Sequence, residues 1–157
     1  MSELSRAGAG IGMTSDRTRG RMVEVLRKSG IRDERVLAAM LEIPRHLFVE
    51  PGIASRAYED TPLPIGHGQT ISSPSVVAMM TQLLLEKGPV ARVLEIGTGS
   101  GFMAALLAHK AQEVTTLEIR PELAESAKAH LKRAGLSRVR VVTADGSKGT
   151  PDGAPFN

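Results

Sequence analysis

The sequence predicts an α/β fold in which a parallel sheet with crossover helices follows a small helical region. Two observations carry that expectation. From Arg92 onward, short β-branched runs alternate with helical ones: "RVLEI", "GFMAALLAHKA", "EVTTLEI", "PELAESAKAHLKRAG", "RVRVVTA". Short connections between such runs are the signature of parallel strands joined by helices. Before Arg92, two stretches repeat apolar residues at helical spacing.

The N-terminal "MSELSRAGAGIGMTSDRTRG" lacks the apolar core of a signal peptide, and residues 1–12 are read as a flexible tail. Residues 13–74 then form a helical and loop region, and 75–157 a partial α/β unit, within one domain. "RTRGRMVEVLRKSG" places Met22, Val23 and Leu26 on one stripe and stops at Gly30. Its arginines Arg17, Arg19 and Arg21 read as a solvated face. "RDERVLAAMLEI" places Val36, Leu37, Met40 and Leu41 on a second stripe and stops before Pro44. The proline-broken "PRHLFVEPGIASRAYEDTPLPIG" reads as a short helix between loops, with Phe48 and Tyr58 as core anchors. "PSVVAMMTQLLLEKG" reads as a well-buried helix with Pro74 in its first turn and Met79 and Met80 filling core.

In the α/β part the strands need not alternate, since parallel strands are buried on both faces. The best-formed helix runs from Pro121 to Ala134, with Ala124, Ala127, Leu131 and Ala134 on one face and Gly135 as its stop. The tail "DGSKGTPDGAPFN" is loop chemistry. Three strands and two helices make half of a doubly wound sheet, and the first strand, usually central, is left with an open edge. Either the chain is a fragment or another copy or chain covers that edge, so self-association through it is expected.

The totals exclude several classes. Apolar residues are 41% and charged residues 24% of 157, a globular composition, and no apolar run reaches the roughly 18–20 residues of a membrane span. A net charge of +3 with pI near 9.6 invites a nucleic-acid reading. Yet the basic residues are interspersed with acidic ones, and aromatics at 3% are too few for base stacking. Neither nucleic acid nor membrane is expected as a partner. With no cysteine there is no disulfide framework or thiolate metal site, which fits a cytoplasmic location, and no metal is expected.

"VLEIGTGSGF" sits where a strand becomes a helix. Gly97, Gly99 and Gly101 remove Cβ atoms where the backbone bends and a ligand must approach main-chain N–H groups at a helix N-terminus. Thr98 and Ser100 lie between them. Glu118, 21 positions after Gly97 at the end of the next strand, is placed to accept from ribose hydroxyls. The third strand ends in "ADG", so Asp145, followed by Gly146, can accept from an adenine amino group. Dinucleotide loops read G-x-G-x-x-G, whereas here G-x-G-x-G is preceded by Glu95, with Phe102 where the last glycine would stand. A carboxylate there is a poor neighbour for pyrophosphate and a good one for an ammonium and a sulfonium. NAD and S-adenosylmethionine are the alternatives, and the acidic residue favours the second. The set resembles the S-adenosylmethionine-dependent methyltransferases, which implies the N-terminal half of a Rossmann-like class I sheet.

The stretch "PIGHGQTISSP" narrows the resemblance. Taken in order with "RMVEVLRKSGIRDERVLAAMLEIPRHLFVE", "AYEDTPLPIGHGQTISSP" and "VLEIGTGSGF", it resembles protein-L-isoaspartate O-methyltransferases from about Met13 to Phe156. The resemblance implies methyl transfer from S-adenosylmethionine to the α-carboxylate of L-isoaspartyl residues in damaged proteins and peptides, leaving S-adenosylhomocysteine. It also implies that Ser72 is the active-site serine, with Thr70 beside it and Gln69, Thr70, Ile71 and Ser72 contacting substrate. Glu95, Gly97, Thr98, Gly99, Ser100, Gly101, Glu118, Asp145 and Gly146 would bind cofactor. By position alone Ser72 or Ser73 could equally cap the helix that follows. His67 reads as a surface residue, because a carboxylate with a reference pKa of about 4 is already ionised and needs no base.

Family members continue past "APF" with an Asp and further elements, whereas this chain ends at Asn157. Two other readings therefore stand beside the repair enzyme: a related methyltransferase acting on another peptide carboxylate, and an inactive truncated domain that binds the cofactor or associates through its edge.

Overall fold

The computed structural model describes residues 10–157, so most of the tail expected over residues 1–12 lies outside the described residues. A 3-10 turn at Gly12–Thr14 leads to helix α1 (Asp16–Lys28). The Ser15 hydroxyl accepts from Thr18 N–H to cap α1, and Asp33 accepts from Arg35 N–H to cap α2 (Glu34–Glu42). Such caps satisfy N–H groups that the first helical turn leaves unpaired. The buried faces are Met22, Val23 and Leu26 on α1, and Val36, Leu37, Ala39 and Met40 on α2.

Two expectations fail here. Leu41 is 47% exposed, because Ala39 joins the buried face and turns its centre away from Leu41. Arg19 is 2% exposed, its guanidinium donating to Glu42 O at 2.9 Å and pairing with Asp16. Its stem buries while its head meets acceptors, whereas Arg17 and Arg21 are exposed.

The proline-broken segment holds two 3-10 turns, Arg45–Phe48 and Pro51–Arg56. Phe48 and Tyr58 are buried as expected. Arg45 is fully buried: its Nε donates to Ala57 O at 2.7 Å and its guanidinium lies 5.0 Å from the Phe102 ring centroid. Burial lowers its pKa to about 10, which leaves a cation at neutral pH.

The stretch "PIGHGQTIS" is largely a hairpin of β1 (Leu63–Gly66) and β2 (Gln69–Ile71). Gly66 faces Gln69, leaving His67 and Gly68 as a two-residue turn with φ of 52° and 68°. Two positive φ values match the twist of the flanking strands, and glycine accepts one without strain. Helix α3 (Pro74–Leu85) follows. It buries Val77, Ala78, Thr81 and Leu85, but Val76, Met79, Met80 and Leu83 are 39–54% exposed. The expected well-buried helix with core-filling Met79 and Met80 is thus half open. Because α3 is apolar on every side, its periodicity carries no signal of which face is covered.

The sheet consists of parallel strands β3 (Arg92–Ile96), β4 (Glu113–Glu118) and β5 (Arg140–Thr143) in that spatial order. Helices α4 (Phe102–Lys110) and α5 (Pro121–Arg133) form the crossovers. At the end of α5, Gly135 takes a positive φ, and Leu136 N–H returns to Leu131 O at 2.8 Å. One apolar core runs from Met22 to Val139 through both the helical region and the α/β part. β4 is the only described strand that pairs with β3, so β3 is an edge. At its start, Asn157 N–H donates to Arg92 O, and Asn157 Oδ1 accepts from Ala91 and Arg92 N–H. Among the described residues no helix is long and apolar enough to cross a membrane, and no metal-sized cluster of His, Cys, Asp or Glu occurs.

Candidate active site

A cavity of about 420 Å³ opens between the hairpin, α3 and the end of β3. Thr70, Ile71 and Ser72 line one side of it; Glu95, Gly97, Thr98, Gly99 and Ser100 line the other. Two stretches 25 positions apart in sequence, counted from Thr70 to Glu95, therefore meet around one space. Met80 of α3 also faces it, so the exposed side of that helix is in part a cavity wall.

The glycine loop is shaped by its neighbours on β4. Gly97 and Thr98 N–H both donate to Leu117 O, and the Thr98 hydroxyl lies 2.7 Å from that of Thr116. Gly97, Gly99 and Gly101 all have positive φ, between 54° and 91°. At Gly101 a Cβ would also press on Ala127 Cβ at 3.3 Å, so this glycine lets α4 approach α5. Thr98 and Ser100 are buried and their hydroxyls are used internally, that of Ser100 accepting from Phe102 N–H. Both hydroxyls therefore shape the loop.

Two carboxylates flank the loop. Glu118 is 6% exposed; it accepts from Gly99 N–H at 2.9 Å and from Arg120 N–H at 3.0 Å. Each oxygen keeps a further lone pair for a hydroxyl. Glu95 has a sequestered Oε2 with no partner among the described residues. Burial pushes its pKa up to about 8, opposed in part by the Thr116 hydroxyl and reinforced by the Glu118 charge. Glu95 lines the cavity, and a buried oxygen without a donor beside such a space is suited to a cation.

Glu118, Gly101, Gln69, Asp145 and Gly146 do not line the cavity. Gln69 is exposed on the hairpin. Asp145 caps the turn Gly146–Lys148, accepting from both Ser147 N–H and Ser147 Oγ, bonds that hold its carboxyl below the usual range. Gly146 packs against Ile96, where a Cβ would come within 2.3 Å of Ile96 Cγ2. His67 stands at the exposed hairpin tip and does not line the cavity.

Ser72 is exposed to the cavity, and its hydroxyl bonds to no described residue. It does not cap α3. Ser73 holds the capping position without a capping bond, and Asp60 supplies the acceptor instead, taking Ser75 N–H at 2.8 Å. The sequence reading missed Asp60, whose partner is 15 residues away with no local pattern to announce it. It also missed Thr116, which only the strand register places beside Glu95.

Comparison with known proteins identifies the family. The family model described as protein-L-isoaspartate(D-aspartate) O-methyltransferase matches residues 17–157. A protein-L-isoaspartate O-methyltransferase of Alkalilimnicola ehrlichii is 57% identical over 147 residues, covering 94% of this chain and 66% of its own. That of Halorhodospira halophila is 54% identical, covering 97% and 69%, and that of Cupriavidus pinatubonensis 58%, covering 92% and 50%. The chain thus spans between half and just over two thirds of these relatives. A solved protein-L-isoaspartate O-methyltransferase superposes with a TM-score of 0.76 at 33% identity, over 88% of this chain and 45% of that one. One from Plasmodium falciparum, in complex with S-adenosyl-L-homocysteine, shares the fold with a TM-score of 0.72 at 23% identity, over 85% and 66%. With the family model spanning both the hairpin and the glycine loop, the chain belongs to the protein-L-isoaspartate(D-aspartate) O-methyltransferase family.

Proposed function

We propose that the cavity is the shared cofactor and substrate cleft of a protein-repair methyltransferase, which esterifies the α-carboxylate of L-isoaspartyl residues in damaged proteins. One observation carries the reading: Thr70–Ser72 and Glu95–Ser100 line the same space. S-adenosylmethionine would supply an activated methyl group, a substrate carboxylate oxygen bonding to the methyl carbon as the carbon–sulfur bond breaks to leave S-adenosylhomocysteine, and that transfer itself needs no proton.

The residues fit such a donor. Glu95 holds an unpartnered carboxyl oxygen, and a cation beside it would favour loss of the proton that burial retains there. Gly97 and Gly99 line the cavity without side chains, Gly101 closes the loop behind them, and Glu118 keeps lone pairs for ribose hydroxyls. In this reading Asp145 and Gly146 receive the adenine at the end of β5. Ser72 orients the substrate carboxylate through its free hydroxyl, with Thr70 beside it and Gln69 and Ile71 completing the substrate wall. Neutral donors suit this task, because they fix a carboxylate without quenching its nucleophilicity. The chain's share of catalysis is positioning, which can supply roughly 7–11 kcal/mol. The reading places the enzyme in the cytoplasm, whose reducing conditions cost a chain without cysteine nothing.

The test is methyl transfer from labelled S-adenosylmethionine to paired peptides, identical except for L-isoaspartyl or L-aspartyl at one position, with cofactor titrated calorimetrically into the same preparation. Transfer to the isoaspartyl peptide alone is expected. Cofactor binding without transfer would mean that this chain holds the cofactor but not a working substrate cleft.

A second reading concerns the β3 edge. Among the described residues it has a strand on one side only, and Met80 of the half-exposed helix α3 lines the same cavity as Val93–Ile96. Unpaired edges with apolar flanks pair readily, so self-association is proposed. Light scattering across a concentration series checks it, a concentration-independent monomer being the contrary result.

A further inference from the structure

The glycine loop has three glycines, and glycine lets a peptide plane rotate where other residues would not. Its first half is fixed from β4 by Leu117 O, the Thr116 hydroxyl and Glu118. The second half, from Ser100 to Gly101, has a different anchor. His130 Nδ1 on α5 lies 2.9 Å from Ser100 O. A carbonyl oxygen only accepts, so Nδ1 must carry the proton.

Ser100 C=O and Gly101 N–H belong to one planar peptide unit and point in opposite directions. Gly101 N–H donates to Thr98 O at 2.9 Å, so the unit is held at both ends, by His130 on one side and by the loop itself on the other. Gly101 has φ of 88° and no Cβ to resist a flip. His130 is in turn held edge-on by Phe48, with centroids 5.9 Å apart, and Phe48 meets Phe102 in the same way at 5.5 Å. The helical region thereby buttresses the loop through one aromatic ring.

We infer that His130 is a positioning residue for the cofactor loop, pinning the Ser100–Gly101 peptide through the Ser100 carbonyl so that the loop lining the cavity keeps its ligand-ready form. The affinity readout of this inference rests on the cofactor reading above; its other readouts do not.

The experiment compares the full chain with His130→Phe and His130→Asn. Phenylalanine keeps the ring against Phe48 and removes the donor. Asparagine places an amide N–H near the position of Nδ1 and removes the ring. Loss of one net hydrogen bond predicts a fall of roughly 3- to 10-fold in S-adenosylmethionine affinity for His130→Phe, with most of it restored in His130→Asn. Amide exchange at Gly101 should quicken in the first variant and slow again in the second. The side-chain 15N spectrum of the unliganded protein should show Nδ1 protonated. Equal affinity and Gly101 protection in all three proteins would overturn the inference, as would His130→Asn behaving like His130→Phe or an Nε2–H tautomer. If the parent protein fails to bind S-adenosylmethionine the functional reading falls, while Gly101 exchange and the tautomer still decide the role of His130. Should His130→Phe fail to fold, His130→Asn and the tautomer decide it.

Discussion

The ends of β3 and β4 carry one carboxylate each, Glu95 and Glu118, on either side of the glycine loop, and the fold treats them oppositely. Glu118 receives two backbone N–H groups and organises the loop. Glu95 keeps an oxygen without a donor, and burial raises its pKa to about 8. The same residue type is thus a brace on one strand and an unmet demand on the next. An unmet buried demand is tolerated where something else meets it, and here the cavity beside Glu95 says where.

Removing the brace should have the largest effect. Glu118→Ala leaves Gly99 and Arg120 N–H groups without their acceptor, each costing about 1–3 kcal/mol where water cannot replace it. Urea denaturation should show a loss of roughly 3 kcal/mol, and cofactor affinity should fall as the loop loosens. A stability change under about 0.5 kcal/mol, the range of a neutral surface substitution, would show that Glu118 organises nothing.

Glu95→Gln should act with the opposite sign on stability. In the unfolded chain Glu95 loses its proton near its ordinary value of 4.5, whereas in the folded protein it holds it up to about 8. The folded state binds more protons across that window, so Glu95 makes stability fall as pH rises through it. Glutamine removes that dependence: the variant should melt a few degrees higher than the parent at pH 9, with the difference shrinking by pH 6. It should bind S-adenosylmethionine roughly 10- to 100-fold more weakly, the worth of a charge-assisted contact. In the parent at pH 7, binding a cation beside Glu95 should release a proton. Calorimetry in buffers of different ionisation enthalpy reads that release directly, and buffer-independent heats would remove Glu95 from the site.

The contrast between the two glutamates was half legible in the sequence. Both stand at strand ends that β-branched runs announce, so their place near a glycine loop follows from pattern alone. Their difference depends on strand register, which sets Glu95 opposite Thr116, and on loop dihedrals that bring Gly99 N–H to Glu118. Neither leaves a trace in local spacing. The same limit explains the misses elsewhere. Arg19 sits among solvated arginines in sequence, yet it meets Glu42 O across 23 positions. Helix α3 is apolar all round, so only its neighbours decide that Met79 and Met80 are exposed. The hairpin tip was the opposite case: His67 and Gly68 follow a two-residue turn rule that the reading passed over.

Asp60→Ala tests a smaller effect on the substrate side. Its carboxylate is the acceptor for Ser75 N–H at the start of α3. Losing it should cost about 1 kcal/mol, as for other helix caps. Because Ser72 lies three residues before Ser75, turnover should fall more than cofactor affinity does. Equal losses in both would mean that α3 as a whole had loosened.

Ser72→Ala should leave the fold least changed of all, and so isolates function from structure most cleanly. The hydroxyl bonds to no described residue and caps no helix, since Asp60 serves α3 instead. Stability should stay within about 0.5 kcal/mol of the parent, and S-adenosylmethionine affinity should be unchanged because Glu95 and the loop remain. Turnover of an isoaspartyl peptide should fall by roughly 10- to 100-fold, the worth of a hydrogen bond to a charged group. Glu95 and Ser72 would then share a property that Glu118 lacks: each presents a polar group that the folded chain leaves unpaired beside one cavity. Unchanged turnover would break that parallel and leave Ser72 an ordinary residue of the loop between β2 and α3, with substrate recognition residing in Thr70 or outside the hairpin.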